Sequence, residues 1–247
     1  MGRKRIKFDL LIHDLKVPVA VIEAGITSLL EREEKYGTLT EKQKKVLRRA
    51  LRNTKVTRTL VNDAMEVGRS AEGLIVKNSF AVSNFVSQAF VEIFDLTDSE
   101  TAETIRDCVD FSLLKRTLSS KGIILHIDED LWRRSVSLDE RKMNQILRNL
   151  LNNALKYRKR KVELRIENRG DALFVGVEDD GDGIDESYHR RIFECYFQMD
   201  QEGNHCVRGH GLGLAGVMVL VEDMGGKLTL ESDVGKGASF SVTVPLK

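Results

Sequence analysis

Apolar residues recur at steps of three and four from about Arg5 to Lys35 (Leu10, Val17, Val21, Ala24) and again from Thr40 to Arg69 (Leu47, Ala50, Leu51, Thr54, Val61, Ala64, Met65). That spacing lines one face of an α-helix. Gly37 supplies a C-terminal stop and Thr40 an N-cap, so the two helices are expected to fold back as an antiparallel hairpin. Two helices cannot enclose a core. Pairing of two copies into a four-helix bundle is the economical way to cover the stripe, with packing on the rest of the same chain as the competing arrangement. After Gly68 the period changes. Short alternating runs at 161–170, 171–181, 226–235 and 237–246 predict strands, and helical patterns lie around Val82 to Phe94, Leu138 to Tyr157 and Leu212 to Met224. Gly170-Asp171 and Gly235-Lys236-Gly237 fall where hairpin turns are needed. The expected class is α+β, a helical hairpin over 1–72 followed by an α/β sandwich over 73–247. The run Asp95 to Ser120 is long for a helix-to-strand connection and is expected to extend or duplicate a helix.

A length of 247 residues suits two modest domains. Lys plus Arg total 39 against 38 Asp plus Glu, a net charge of +1, so no basic field exists to hold nucleic acid. Three cysteines, Cys108, Cys195 and Cys206, are an odd number without metal-ligand spacing, which points to a reducing compartment, the cytoplasm. No apolar run approaches the ~20 residues of a spanning helix, and the basic start "MGRKRIKFDL" is too poor in apolar residues for a signal peptide. A membrane is expected only through a sensor region that this chain lacks.

Two glycine clusters carry the strongest chemical signal. "EDDGDGI" puts Asp179 at a strand end before Gly181 and Gly183, where the backbone can turn sharply against a flat ligand and the carboxylate can accept the exocyclic amine of adenine. "RGHGLGLAGV" puts Gly209, Gly211 and Gly213 at a helix start, an anion nest suited to phosphates. Upstream, Asn149, Asn153, Lys156 and Tyr157 share one helix face. Asn153 can complete the oxygen shell of a magnesium ion on nucleotide phosphates, and Lys156 can neutralise one of them. Each feature alone is also compatible with an ordinary turn or a solvated helix side. So is His13, a lone histidine in an amphipathic run.

Taken in order, "HDLKVP", "NLLNNALKY", "DDGDGI", "IFECYFQ" and "GHGLGLA" resemble the histidine, asparagine, first glycine, phenylalanine and second glycine boxes of the sensor histidine kinases. The resemblance covers nearly the whole chain. It implies a dimerisation and histidine-phosphotransfer hairpin joined to a GHKL-type ATP-binding domain, with ATP and Mg2+ as cofactors, a homodimer, and a response-regulator receiver as partner. His13 matches the phosphoacceptor and Asp14 the adjacent acid; Asn153 matches the magnesium-coordinating asparagine. Asn149 and Lys156 match its phosphate-side partners, Tyr157 an aromatic contact and Asp179 the adenine-reading acid. Gly181, Gly183, Ile184, Gly209, Gly211, Leu212 and Gly213 match the pocket lining, and 198–208 the lid over the phosphates.

Three departures qualify the match, the long run from Asp95 to Ser120 being one. Gln198 stands where many relatives carry a basic residue near the γ-phosphate, so either Arg208 substitutes or the kinase is slow. Val17, one helical turn after His13, stands where bifunctional relatives carry Thr or Asn, which implies weak phosphatase activity. The competing functions are a catalytically restrained binding module of the same fold, and an ATP-driven clamp like those of gyrase, chaperone and mismatch-repair proteins. The histidine hairpin and the absence of room for a further domain argue against the clamp.

Overall fold

Pro18 does not stop the first helix. In the computed structural model, which describes residues 8–70, 75–95, 97–108, 110–194, 197 and 213–246, helix α1 (Phe8–Glu31) runs through it. For residues 8–14, 56, 59–60 and 62–70 only the backbone is described. A proline in a helix interior removes one i→i−4 hydrogen bond, here the one to the carbonyl of residue 14, so this helix carries a weak point next to His13. The expected continuous helix to Lys35 is broken: Arg32 leaves helical geometry (φ −114°, ψ 64°), and a separate turn, α2 (Glu33–Tyr36), follows. Glu33 and Glu34 favour that break, because two acids are well placed at a fresh helix N-terminus. Helix α3 (Glu41–Ser70) starts with a reciprocal cap: Gln43 N–H donates to Thr40 Oγ1, and Thr40 N–H donates to Gln43 Oε1.

Two compact units result, Met1–Glu72 and Gly73–Lys247. In the first, α1 packs along α3, and Arg58 pairs with Glu23 at 2.9 Å across the hairpin. Among its described residues Val19 alone is buried. In α3 the expected inward stripe is half-buried at Leu47, Ala50, Leu51, Thr54 and Val61, but in α1 the expected stripe faces solvent, with Val17 55 % and Val21 65 % exposed.

The second unit follows the order β1 (Asn78–Ala81), α4 (Val82–Phe94), α5 (Ser99–Arg106), α6 (Phe111–Ser120), β2 (Ile123–Ile127), α7 (Glu129–Trp132), β3 (Ser135–Leu138), α8 (Glu140–Tyr157), β4 (Val162–Asn168), β5 (Ala172–Asp179), α9 (Gly213–Asp223), β6 (Lys227–Ser232) and β7 (Ala238–Pro245). β1 and β3 form an antiparallel ribbon. The main sheet has the order β2-β4-β5-β7-β6, with only β2 and β4 parallel. Its inward residues, among them Leu164, Val175, Val177 and Val242, pack against Phe85, Phe90, Ile146, Leu150 and Val217 of the helices. The strands and helices expected around 161–181, 226–246 and 82–94 are present; Leu138, expected in a helix, ends β3, and Asp139 caps α8 by accepting from Lys142 N–H.

The long run from Asp95 holds two helices rather than one. Asp98 ties them together: it accepts from Thr101 N–H, from Thr101 Oγ1 at 2.7 Å and from Lys121 Nζ at 2.7 Å. Lys121, then the Thr101 donors, hold its carboxyl down from 3.8 to about 2. A carboxyl lowered by folding contributes stability above its unfolded value and loses it as pH falls through the folded one. The native chain is therefore expected to be more thermostable than an Asp98→Asn variant above pH 3.8, with the gap closing by about pH 2. Melting curves across that range check this; a pH-independent gap would contradict it.

Candidate functional site

Strand β5 ends on Asp179, and three elements meet beside it. Asp179 is 7 % exposed. Burial pushes its carboxyl above the ordinary value, opposed by donation from the backbone amides of Gly181 (2.9 Å to Oδ1) and Ala238. A carboxylate buried with so few donors gains when a ligand N–H reaches it. Gly181 lies against the last turn of α8, where a Cβ would stand 2.5 Å from the Tyr157 carbonyl oxygen. Beyond it the chain turns through Gly183 (φ 72°) to Ile184, which is 9 % exposed.

The sequence pattern did not reveal what holds this turn. Ile184 N–H donates to Ser232 Oγ at 2.9 Å, and Ser232 donates on to the Gly237 carbonyl at 2.7 Å. Gly235 N–H also donates to the Asp182 carbonyl. The β6–β7 hairpin therefore serves as a buttress for the Gly181–Ile184 turn. A serine in an alternating strand reads as one more solvated residue, so no local signal marked it. His189 Nε2 adds a contact to the Ile184 carbonyl at 3.0 Å.

Along α8 the predicted face divides by burial. Asn149 is 7 % exposed, and its Nδ2 donates to the Gly213 carbonyl at 3.3 Å, joining α8 to the first residue of α9. Asn153 is half-buried, and its carboxamide has no hydrogen-bond partner among the described residues. Lys156 and Tyr157 are exposed, the ammonium lying 4.6 Å from the ring centroid and 2.9 Å from the phenol oxygen. Phe193 packs edge-on against Phe240, and Phe197 lies under the Arg191 guanidinium at 4.4 Å.

The structure thus brings together Tyr157, Asp179, Gly181, Gly183 and Ile184, and separately Asn149 and Gly213, with Asn153 and Lys156 on the stretch of α8 between Asn149 and Tyr157. Gln198, Arg208, Gly209, Gly211 and Leu212 lie outside the described residues. His13 and Asp14 belong to the backbone of α1, but their side chains also lie outside that description. Among the described residues no group of three His, Cys, Asp or Glu side chains could hold a metal ion. A metal here would have to rest on a ligand's own oxygens plus a neutral donor such as the Asn153 carboxamide. That donor set suits magnesium, which commonly takes one or two protein ligands beside phosphates. No helix among the described residues is long and apolar enough to cross a membrane.

Comparison with known proteins agrees with this arrangement. Residues 138–247 match the family of histidine kinase-, DNA gyrase B-, and HSP90-like ATPases. The circadian input-output histidine kinase CikA of Synechococcus elongatus is 30 % identical over 237 residues, which cover 94 % of this chain and 29 % of that protein. Sensor histidine kinase YkoH of Bacillus subtilis is 26 % identical over 232 residues, 93 % of this chain and 45 % of that one. The chain spans less than half the length of these curated relatives. Among solved structures, full-length ShkA in complex with AMPPNP gives a TM-score of 0.66 at 22 % identity over 96 % of this chain and 45 % of its own. Acinetobacter baumannii histidine kinase AdeS gives 0.58 at 18 % identity, over 95 % of this chain and 98 % of its own. At these identities the likeness is one of fold.

Proposed function

We propose that the chain carries the core of a sensor histidine kinase, its ATPase domain including residues 138–247, which phosphorylates His13 from ATP and passes the phosphoryl group to a response-regulator aspartate. The observation that carries the reading is that α8 meets the buried Asp179 carboxylate at the end of β5 through the Tyr157–Gly181 contact and, two turns earlier, meets the start of α9 through the Asn149–Gly213 bond. Asp179 and Ile184 take the adenine. Asn149, Asn153, Lys156 and the glycines before α9 take the phosphates. Asn153 would hold magnesium, which supplies charge neutralisation on the phosphates when bound. The imidazole of His13 attacks the γ-phosphorus, a nitrogen–phosphorus bond forms, the bond to the bridging oxygen breaks and ADP leaves. Asp14 accepts the ring's other N–H and fixes the attacking nitrogen. The exposed apolar side chains of α1, Leu15, Val17, Val21 and Ile22, support a homodimer through the hairpin. The cysteine usage supports a cytoplasmic setting.

The reading is tested by incubating the chain with ATP and magnesium and following protein-bound phosphate. A label that is stable in alkali and lost in acid is expected. No label in a protein that still binds ADP would assign the chain to the restrained binding modules instead.

Val17 bears on hydrolysis of the receiver's aspartyl phosphate. It lies four residues, about one helical turn, after His13 and is 55 % exposed. Valine has nearly the shape of threonine but no hydroxyl to hold a hydrolytic water. Receiver phosphate is expected to decay at its intrinsic rate beside the native chain, and up to about a hundredfold faster beside a Val17→Thr variant, the scale of one catalytic hydrogen bond. Fast receiver dephosphorylation by the native chain, beyond back-transfer to His13, would contradict this.

A further inference from the structure

Asp180 turns its carboxylate onto the chain itself. Oδ1 accepts from the backbone amides of Lys159 (2.9 Å), Arg160 (2.9 Å) and Lys161 (3.1 Å), and Oδ2 accepts from Arg160 N–H at 3.1 Å. These three residues form the turn between α8 and β4. Convergent amides of this kind make a nest for an anion, and here a side chain from the neighbouring strand end fills it. The bond from Arg160 N–H, more than any other group, holds the carboxyl below the ordinary aspartate range. Two further contacts bind the same corner. Arg158 Nη1 donates to the Lys121 carbonyl at 2.8 Å, and Gly181 lies so close to Tyr157 that no side chain fits between them. The exposed Lys159–Asp182 pair at 2.7 Å adds little in water.

We propose that Asp180 is a positioning residue for the nucleotide. By holding the Lys159–Lys161 turn, it sets the spacing between Asn153 and Lys156 on α8 and Asp179 on β5. A ligand that occupies both ends of the site at once depends on that spacing, whereas a ligand that occupies only the adenine end does not. The inference rests on the nucleotide reading of the site. It also gives the adjacent aspartates different roles, since Asp179 meets the ligand and Asp180 holds the wall.

The test is calorimetric titration of the full chain with ADP and with adenosine, together with amide hydrogen exchange at Lys159, Arg160 and Lys161. Asp180→Ala is expected to weaken ADP about tenfold or more and adenosine less than about threefold, with the three amides losing protection. Asp180→Asn keeps an acceptor oxygen and is expected to stay within about threefold of native for ADP, with the amides still protected. Should the alanine variant not fold, Asp180→Ser, whose shorter side chain reaches fewer amides, is held to the same outcomes. Native-like ADP affinity in Asp180→Ala, equal losses for ADP and adenosine, or an Asn variant as damaged as the Ala variant would each overturn the inference alone. A native chain that binds neither ligand would overturn the nucleotide reading, and this inference with it.

Discussion

Replacing Gly237 by alanine is expected to cost residues 73–247 about 2–5 kcal/mol and to remove nucleotide binding. Gly237 has φ 84°, and a Cβ built on it stands 1.9 Å from the carbonyl oxygen of Asp179 and 2.9 Å from its carbon. The left-handed conformation costs an L-residue about 1–2 kcal/mol, and forcing an atom into packed surroundings adds about 1–3. Neither neighbour can swing aside as a side-chain tip could, because both are backbone. Ala238, the next residue, pairs with Asp179 across β5 and β7, so any shift propagates to the carboxylate proposed to take the adenine. Against a typical total of about 5–15 kcal/mol, such a loss is severe. Gly235 supplies the control. Its φ is 83°, nearly the same, but nothing lies within 4 Å of its Cβ position. Gly235→Ala should therefore cost only the conformational part, about 1–2 kcal/mol, and leave ADP binding intact. Denaturant unfolding and ADP titration of the two variants decide the matter; equal costs would show that the close approach to Asp179 does not matter.

Those two glycines also mark how far the sequence could be read. The turn itself was legible, because Gly235-Lys236-Gly237 between two alternating runs allows little else. The tight contact of Gly237 with Asp179 was not, since it depends on strands brought together from distant parts of the chain. The same boundary runs through the whole fold. β4 to β7 run for six residues or more and were visible, whereas β1 and β3 have four residues each and run directly into helices or caps. α5 and α6 were expected only as extra helix, because their caps Asp98 and Asp110 look like any loop aspartates until they are seen accepting from Thr101 and Ser112. In α1 the apolar period gave the helix but not its inward side: Val19 is buried, while the stripe through Val17 and Val21 is exposed. A period identifies a face without saying what covers it.

In the candidate site, residue type and spacing located Asn149, Asn153, Asp179, Gly181 and Gly183, because carboxamides on a half-buried helix face and glycines after a strand are costly without a purpose. Ser232 and Asp180 escaped notice for the opposite reason. A serine on a strand and a second aspartate in an acidic run are cheap on any surface, and their roles appear only in what they bond to.

The central claim is that the nucleotide bound between α8 and β5 delivers its phosphoryl group to His13 in the other unit. Donor and acceptor then lie on separate units of the chain, and a change at one should leave the other intact. His13→Ala removes the only nitrogen nucleophile proposed for the hairpin without touching the ADP site. Loss of the label in that variant would approach the full rate enhancement, the largest effect any substitution here should produce. The decisive measurement compares native and His13→Ala chains, each incubated with ATP and magnesium for acid-labile phosphate and titrated in parallel with ADP. Label on the native chain, none on the variant and the same ADP affinity in both are expected; acid-labile label persisting on His13→Ala at the native level would rule out His13 as the acceptor.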